Sequence, residues 1–124
     1  MDLTLSAVPG SYSVIRLEKD ADIPSWATGD FFFSITKTDD ELSIVCNDDS
    51  VPEDVTADRN WRMFKVIGPL DFFLTGVAAA IHKPLSKAKI SVLVISTYDT
   101  DYILVKDDRF EEAKTVLSEY FTVC

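Results

Sequence analysis

Six consecutive residues, Ser96-Thr97-Tyr98-Asp99-Thr100-Asp101, bring four hydroxyls and two carboxylates together between two apolar runs. Carboxylates in such a segment can accept charge-assisted hydrogen bonds from an ammonium or a guanidinium. The runs on either side are what could hold them in place. Residues 92–95 are unbroken apolar sequence, the pattern of a strand buried on both faces. Residues 102–105 are a second run of strand formers. Polar groups at the mouth of two core strands are well placed to bind something small. The connection holds no Gly and no Pro, so it does not read as a simple tight turn. The same residues also read as a plain hairpin loop, with Asp99 and Asp101 capping it and facing water.

Elsewhere the chain offers little chemistry. His82 is the only histidine; it stands beside Lys83 near the end of a predicted helix, and reads as structural or exposed. Neither a Ser-His-Asp nor a Cys-His motif is present, nor a Gly-rich phosphate loop, nor metal-ligand spacing. The expectation is therefore no catalytic residue, no metal, no cofactor and no enzyme activity. Cys46 lies in a strand-like run and Cys124 is the last residue, which suits a buried small hydrophobe and a terminal thiol better than a disulfide. The net charge of −9 argues against nucleic acid and against anionic membrane surfaces. The acidic clusters Asp39-Asp40-Glu41, Asp48-Asp49 and Asp107-Asp108 fall where turns or helix starts are expected, and none has EF-hand spacing. No apolar run approaches the roughly 20 residues that span a bilayer. The opening Met-Asp-Leu-Thr-Leu lacks the regions of a signal peptide. A cytoplasmic protein is the reading.

Hydrophobic residues make up 47% of the 124, enough for a core. In order, the pattern predicts a strand over residues 12–17 after a Pro9-Gly10 turn, then at most one helical turn near Pro24. Strands over 31–36 and 41–46 follow, joined as a hairpin, with Leu42, Ile44 and Cys46 on one face. Residues 47–60 read as a polar connection with at most one helical turn near Pro52. A strand over 61–67 ends at Gly68-Pro69. Asp71 is a plausible N-cap of the next helix, whose stripe is Leu74, Val77, Ala78, Ile81 and Leu85, with Pro84 bending or restarting it. After the two strands described above comes a helix over 108–120, with Asp108 and Glu111 at capping-box spacing and a stripe of Phe110, Ala113, Leu117 and Tyr120. Residues 121–123 close as a short strand. The halves look like a full and a reduced copy of one plan, divided as residues 1–60 and 61–124.

The segments Ile23-Pro24-Ser25-Trp26, Glu41-Leu42-Ser43-Ile44-Val45-Cys46, Gly68-Pro69-Leu70-Asp71-Phe72 with Gly76, and residues 95–105 occur in an order that resembles the small tandem ACT-domain proteins. The last segment looks like one found in the ACT domains of the cytosolic arginine sensor of the TOR pathway and of aspartate kinases. The resemblance implies an α+β fold of two sequential ferredoxin-like ACT units, each βαββαβ, the first with reduced helices. It implies amino-acid binding where ACT units meet, and no catalysis. Its ligand loop falls on Gly68, Pro69, Leu70 and Asp71, and its second ligand-facing segment on Tyr98, Asp99, Thr100 and Asp101. The chemistry fits these residues. Gly68 permits close backbone approach, and a helix start at Asp71 offers free N–H groups to an α-carboxylate. Asp71 reads equally as a plain helix cap.

Two functions follow. One is a regulatory module that binds a free amino acid and acts through a homodimer or a regulated protein partner. The alternative is a ligand-free interaction or dimerisation module using the same loops.

Overall fold

The computed structural model describes residues 2–29, 31–68 and 75–124. Its first strand, β1 (Thr4–Leu17), starts well before the expected residue 12. Pro9 and Gly10 do not form a turn. The strand runs through them because Gly10 takes φ +96°, a conformation that glycine adopts without strain. The strands β2 (Ser34–Lys37), β3 (Leu42–Asn47), β4 (Asp58–Val66), β5 (Leu93–Ser96), β6 (Asp101–Lys106) and β7 (Thr122–Val123) follow, with helices α1 (Val77–Lys87) and α2 (Phe110–Ser118). The fold is α+β.

The chain divides into two compact units, one of residues 10–61 and one of residues 1–9 together with 62–124. The sequence reading assigned residues 1–9 to the first half. Instead, Ala7 N–H donates to Cys124 O at 3.0 Å, Cys124 N–H to Leu5 O at 2.8 Å and Ile67 N–H to Thr4 O at 2.8 Å.

In the unit of residues 10–61, β3 lies between β2 and the second half of β1, antiparallel to both. Residues 31–33 precede β2 rather than belonging to it. Single 3-10 turns at Ser25–Thr28 and Asp48–Ser50 stand where a full βαββαβ unit has helices. Ile15, Leu42, Ile44 and Cys46 form the core with Ala27 and Val51, as the alternation in β3 requires.

In the other unit the order is β4, α1, β5, β6, α2, β7. β6 lies between β4 and β5, and the first half of β1 lies between β4 and β7. Phe64, Val66, Ile103 and Val105 point to the helices, where Val77, Ile81, Leu85, Phe110, Ala113 and Leu117 meet them. Phe64 stacks on Phe110 with ring centroids 4.7 Å apart, and the Arg62 guanidinium lies 4.1 Å from the Phe110 centroid.

Four local expectations need correction. β5 ends the strand order, so residues 93–95 are half-buried rather than enclosed on both faces. Helix α1 continues through Pro84 without restarting, and Ala78 is exposed while Val77, Ile81 and Leu85 are buried. Asp108 sits in a 3-10 turn before α2, so no side-chain cap forms there. Tyr120 lies beyond the end of α2 and is exposed. The expected Asp71 cap and Leu74 lie outside the described residues.

Candidate functional site

The β5–β6 hairpin is tighter than its composition suggests. Ser96 pairs with Asp101, leaving a four-residue turn, Thr97-Tyr98-Asp99-Thr100. Thr97 N–H donates to Thr100 O at 2.8 Å. The Thr97 hydroxyl accepts from Thr100 N–H at 3.3 Å and donates to Thr100 O at 3.1 Å. A threonine at the first turn position closes the loop through its own side chain, in place of glycine. The β2–β3 hairpin does the same. Thr38 N–H donates to Glu41 O at 2.9 Å, and the Thr38 hydroxyl accepts from Asp40 and Glu41 N–H at 3.1 Å. A Thr four residues before the second strand was the legible signal.

Thr100 then points inward. It is buried, and its hydroxyl donates to Val66 O at 2.6 Å. This bond fixes the hairpin tip to the end of β4, two residues before Gly68. Beside them lies an open cavity of about 190 Å³ lined, among the described residues, by Lys65, Gly68, Thr97, Asp99, Thr100 and Tyr102. Alternation places Lys65 and Tyr102 on the sheet face opposite α1 and α2, because Phe64, Val66, Ile103 and Val105 take the helix face.

Of the residues expected to bind a ligand, Gly68, Asp99 and Thr100 come together at this cavity. Tyr98 and Asp101 do not line it. Tyr98 is 83% exposed, and Asp101 shares the strand parity of Ile103 and Val105. Pro69, Leu70 and Asp71 lie outside the described residues. Lys65, Thr97 and Tyr102 were missed. Lys65 in particular looks like an ordinary polar position of an alternating strand.

Lys65 and Asp99 carry opposite charges and both line the cavity. Among the described residues neither makes a hydrogen bond or an ion pair, with the other or with a third group. His82 is exposed on α1, away from this lining. Among the described residues no set of three His, Cys, Asp or Glu side chains could hold a metal. No helix among them is long and apolar enough to cross a membrane. Cys46 is buried and Cys124 exposed, and neither is in a disulfide among the described residues.

The profile of the ACT domain family matches residues 56–119, and a family described as an N-terminal domain matches residues 10–54. The human protein CASTOR3P is 30% identical over 105 residues, covering 74% of this chain and 64% of that protein. The bovine cytosolic arginine sensor for mTORC1 subunit 1 is 26% identical over 103 residues, covering 74% of this chain and 31% of the sensor. The chain thus spans less than two thirds of the length of these relatives. The crystal structure of protein Atu0741 from Agobacterium tumefaciens is 40% identical, with a TM-score of 0.94 over 100% of this chain and 93% of that one. Aspartate kinase from Clostridium acetobutylicum shares the fold at 14% identity, with a TM-score of 0.67 over 93% of this chain and 34% of the kinase.

Proposed function

Because the chain belongs to the ACT-domain family, we propose that it is a regulatory module that binds a free amino acid and has no catalytic activity of its own. The observation that carries the reading is the cavity at the end of β4. It brings a backbone glycine, a carboxylate and an ammonium to one small concave surface. A zwitterionic ligand needs those groups and nothing that breaks bonds. In this reading, residues 61–124 form the ligand-holding ACT unit and residues 1–60 the reduced one, apart from the strand residues they exchange. The similarity to a cytosolic arginine sensor for mTORC1 supports amino-acid sensing in the cytoplasm, and in this reading the signal passes through a homodimer or a regulated protein partner.

The test is a thermal-shift screen of the purified protein against the twenty amino acids. A ligand that binds only the folded state raises Tm with concentration. The expected result is a saturable rise for a subset of them, abolished by Asp99→Ala. Unchanged Tm throughout would remove the reading.

One observation favours the interaction reading instead. Ile23, Phe31 and Phe33 are exposed at 55%, 78% and 43% in the unit with reduced helices. Aromatic side chains such as Phe31 and Phe33 are enriched at protein-binding surfaces. Light scattering of wild type and of Phe31→Ser separates the two. Dimers that dissociate in the variant, with no amino-acid response in either, support a ligand-free module.

A further inference from the structure

We infer that the outer edge of β2, with the exposed rings of Phe31 and Phe33 just before it, docks an extended segment of another protein in which basic and apolar residues alternate. The inference concerns the unit of residues 10–61. It does not depend on amino-acid binding, and it names the chemistry of the partner.

The first argument is the backbone. β2 ends the strand order, with β3 on its one paired side. Thr38 N–H donates to Glu41 O, so these residues form a hydrogen-bonded pair. Such pairs alternate with non-bonded ones along an antiparallel ladder. In the observed register Thr36 and Ser34 therefore bond to β3, while Ile35 and Lys37 turn their N–H and C=O groups away from it. No described strand lies on that side. An extended peptide satisfies such groups as an added strand.

The second argument is the apolar surface beside the edge. The Phe32 ring meets the buried Tyr12 ring edge-on, with centroids 5.8 Å apart. Its two neighbours, Phe31 and Phe33, stay exposed. They give an apolar side chain of an added strand something to pack against.

The third argument is charge, and it decides between partners. Residues 10–61 hold 12 Asp and Glu against 4 Lys and Arg, which is −8 of the chain's −9. Exposed carboxylates flank β2 at its Lys37 end. Glu18 and Asp20 stand on either side of Lys19, whose carbonyl accepts from Lys37 Nζ at 2.8 Å. Asp39 and Asp40 follow the strand directly. Of these four, among the described residues, only Glu18 meets a cation, in an exposed pair with Arg16. A field of this sign attracts a basic segment and repels a second copy of the same acidic unit.

Fluorescence anisotropy tests this with a labelled peptide of about eight residues, a usual strand length, that alternates Lys and Val. One control peptide replaces each Lys by Glu. Another replaces each Val by Pro, which keeps the charge and removes strand donors. The Lys and Val peptide should bind saturably, and each control roughly tenfold or more weaker. Raising the salt from about 0.01 to about 0.15 M should weaken the binding. Amide NMR shifts should centre on Ile35 and Lys37. Lys37→Pro removes an outward donor and spares the ladder with β3, whereas Lys37→Thr keeps the donor. Lys37→Pro and Phe33→Ser should each weaken binding roughly fivefold or more, and Lys37→Thr should not weaken it. Circular dichroism confirms that each variant is folded. If the Pro peptide binds as well as the Val peptide, or Lys37→Pro behaves like Lys37→Thr, the contact is charge alone and the inference is wrong. Absence of binding by the Lys and Val peptide also overturns it, and dimers that Phe31→Ser dissociates would then assign the edge to a second copy. The amino-acid reading stands or falls separately, on the thermal-shift screen.

Discussion

Thr100 Oγ1 donates to the carbonyl oxygen of Val66 at 2.6 Å, and this single buried bond joins the tip of one hairpin to the end of a neighbouring strand. It fixes where Gly68 begins and where Asp99 stands. Thr100 is among the residues expected to contact a ligand, and its hydroxyl is engaged by the Val66 carbonyl at the edge of the cavity. Thr100→Val keeps the shape and removes the donor, which leaves a buried carbonyl unpaired. The expected cost is about 1–3 kcal/mol, read from urea unfolding. Thr100→Ser should restore most of it. Equal stability of the Val and Ser variants would show that the bond contributes nothing.

Phe110 begins α2, stacks on Phe64 and lies against the Arg62 guanidinium. Arg62 also pairs with Asp107 at 3.2 Å. Truncating the ring removes both partners and opens a void between sheet and helices. Phe110→Ala should cost about 3–5 kcal/mol. Phe110→Leu should cost less, because it refills part of the space. Denaturant midpoints of the two variants check the order.

Arg109 holds the start of α2 against the end of α1. It meets Glu112 at 2.8 Å and donates to Lys89 O and Ala88 O at 3.3 Å. The hydrogen bond from Arg109 is the main cause that keeps the Glu112 carboxyl below its ordinary range. A carboxyl whose folded value is depressed adds stability above its unfolded value, and loses it as pH falls through the folded one. The pair should thus contribute in full at neutral pH and fade below the ordinary glutamate value of about 4.3. The Tm difference between wild type and Glu112→Gln should be constant around neutral pH, where the carboxyl is fully ionised, and shrink in acid. A difference that grows on acidification would contradict it.

Much of the fold was legible because its signals are local. The alternation in β3 put Leu42, Ile44 and Cys46 on one face, and that face is the core of its unit. The stripe of Val77, Ile81 and Leu85 likewise faces inward. The path of β1 was not legible. Pro9-Gly10 is a turn signal, and only the pairing of residues 4–7 with β4 and β7 overrides it. The edge position of β5 was hidden as well, since an apolar run does not state how many neighbours a strand has. At the site, Asp99 was visible as a carboxylate between two strands. Lys65 was not, because its place in the cavity lining depends on residues more than 30 positions later in the chain, which only the β4–β6 neighbourhood brings near.

Asp48 ties together the unit that lacks full helices. One carboxylate oxygen accepts from the Ser13 hydroxyl on β1, and the other from Asn60 N–H on β4 at 3.2 Å. Ser13 is fully buried, and Asn60 holds φ +65°, which an Asn tolerates better than most residues. The sequence presents Asp48 and Asp49 as equivalent members of a solvated acidic turn. The structure separates them, because the Asp49 side chain is exposed and its backbone N–H is held by Asn47 Oδ1 at 2.8 Å. Asp48→Ala leaves a buried hydroxyl and a strand N–H without partners, and should cost about 1–3 kcal/mol. Asp49→Ala should change stability by less than about 0.5 kcal/mol. Asp48→Asn should fall between them, since one of its oxygens remains to accept. Paired thermal and urea unfolding of the three variants decides the matter, and equal losses at positions 48 and 49 would show that the turn is held by its backbone alone.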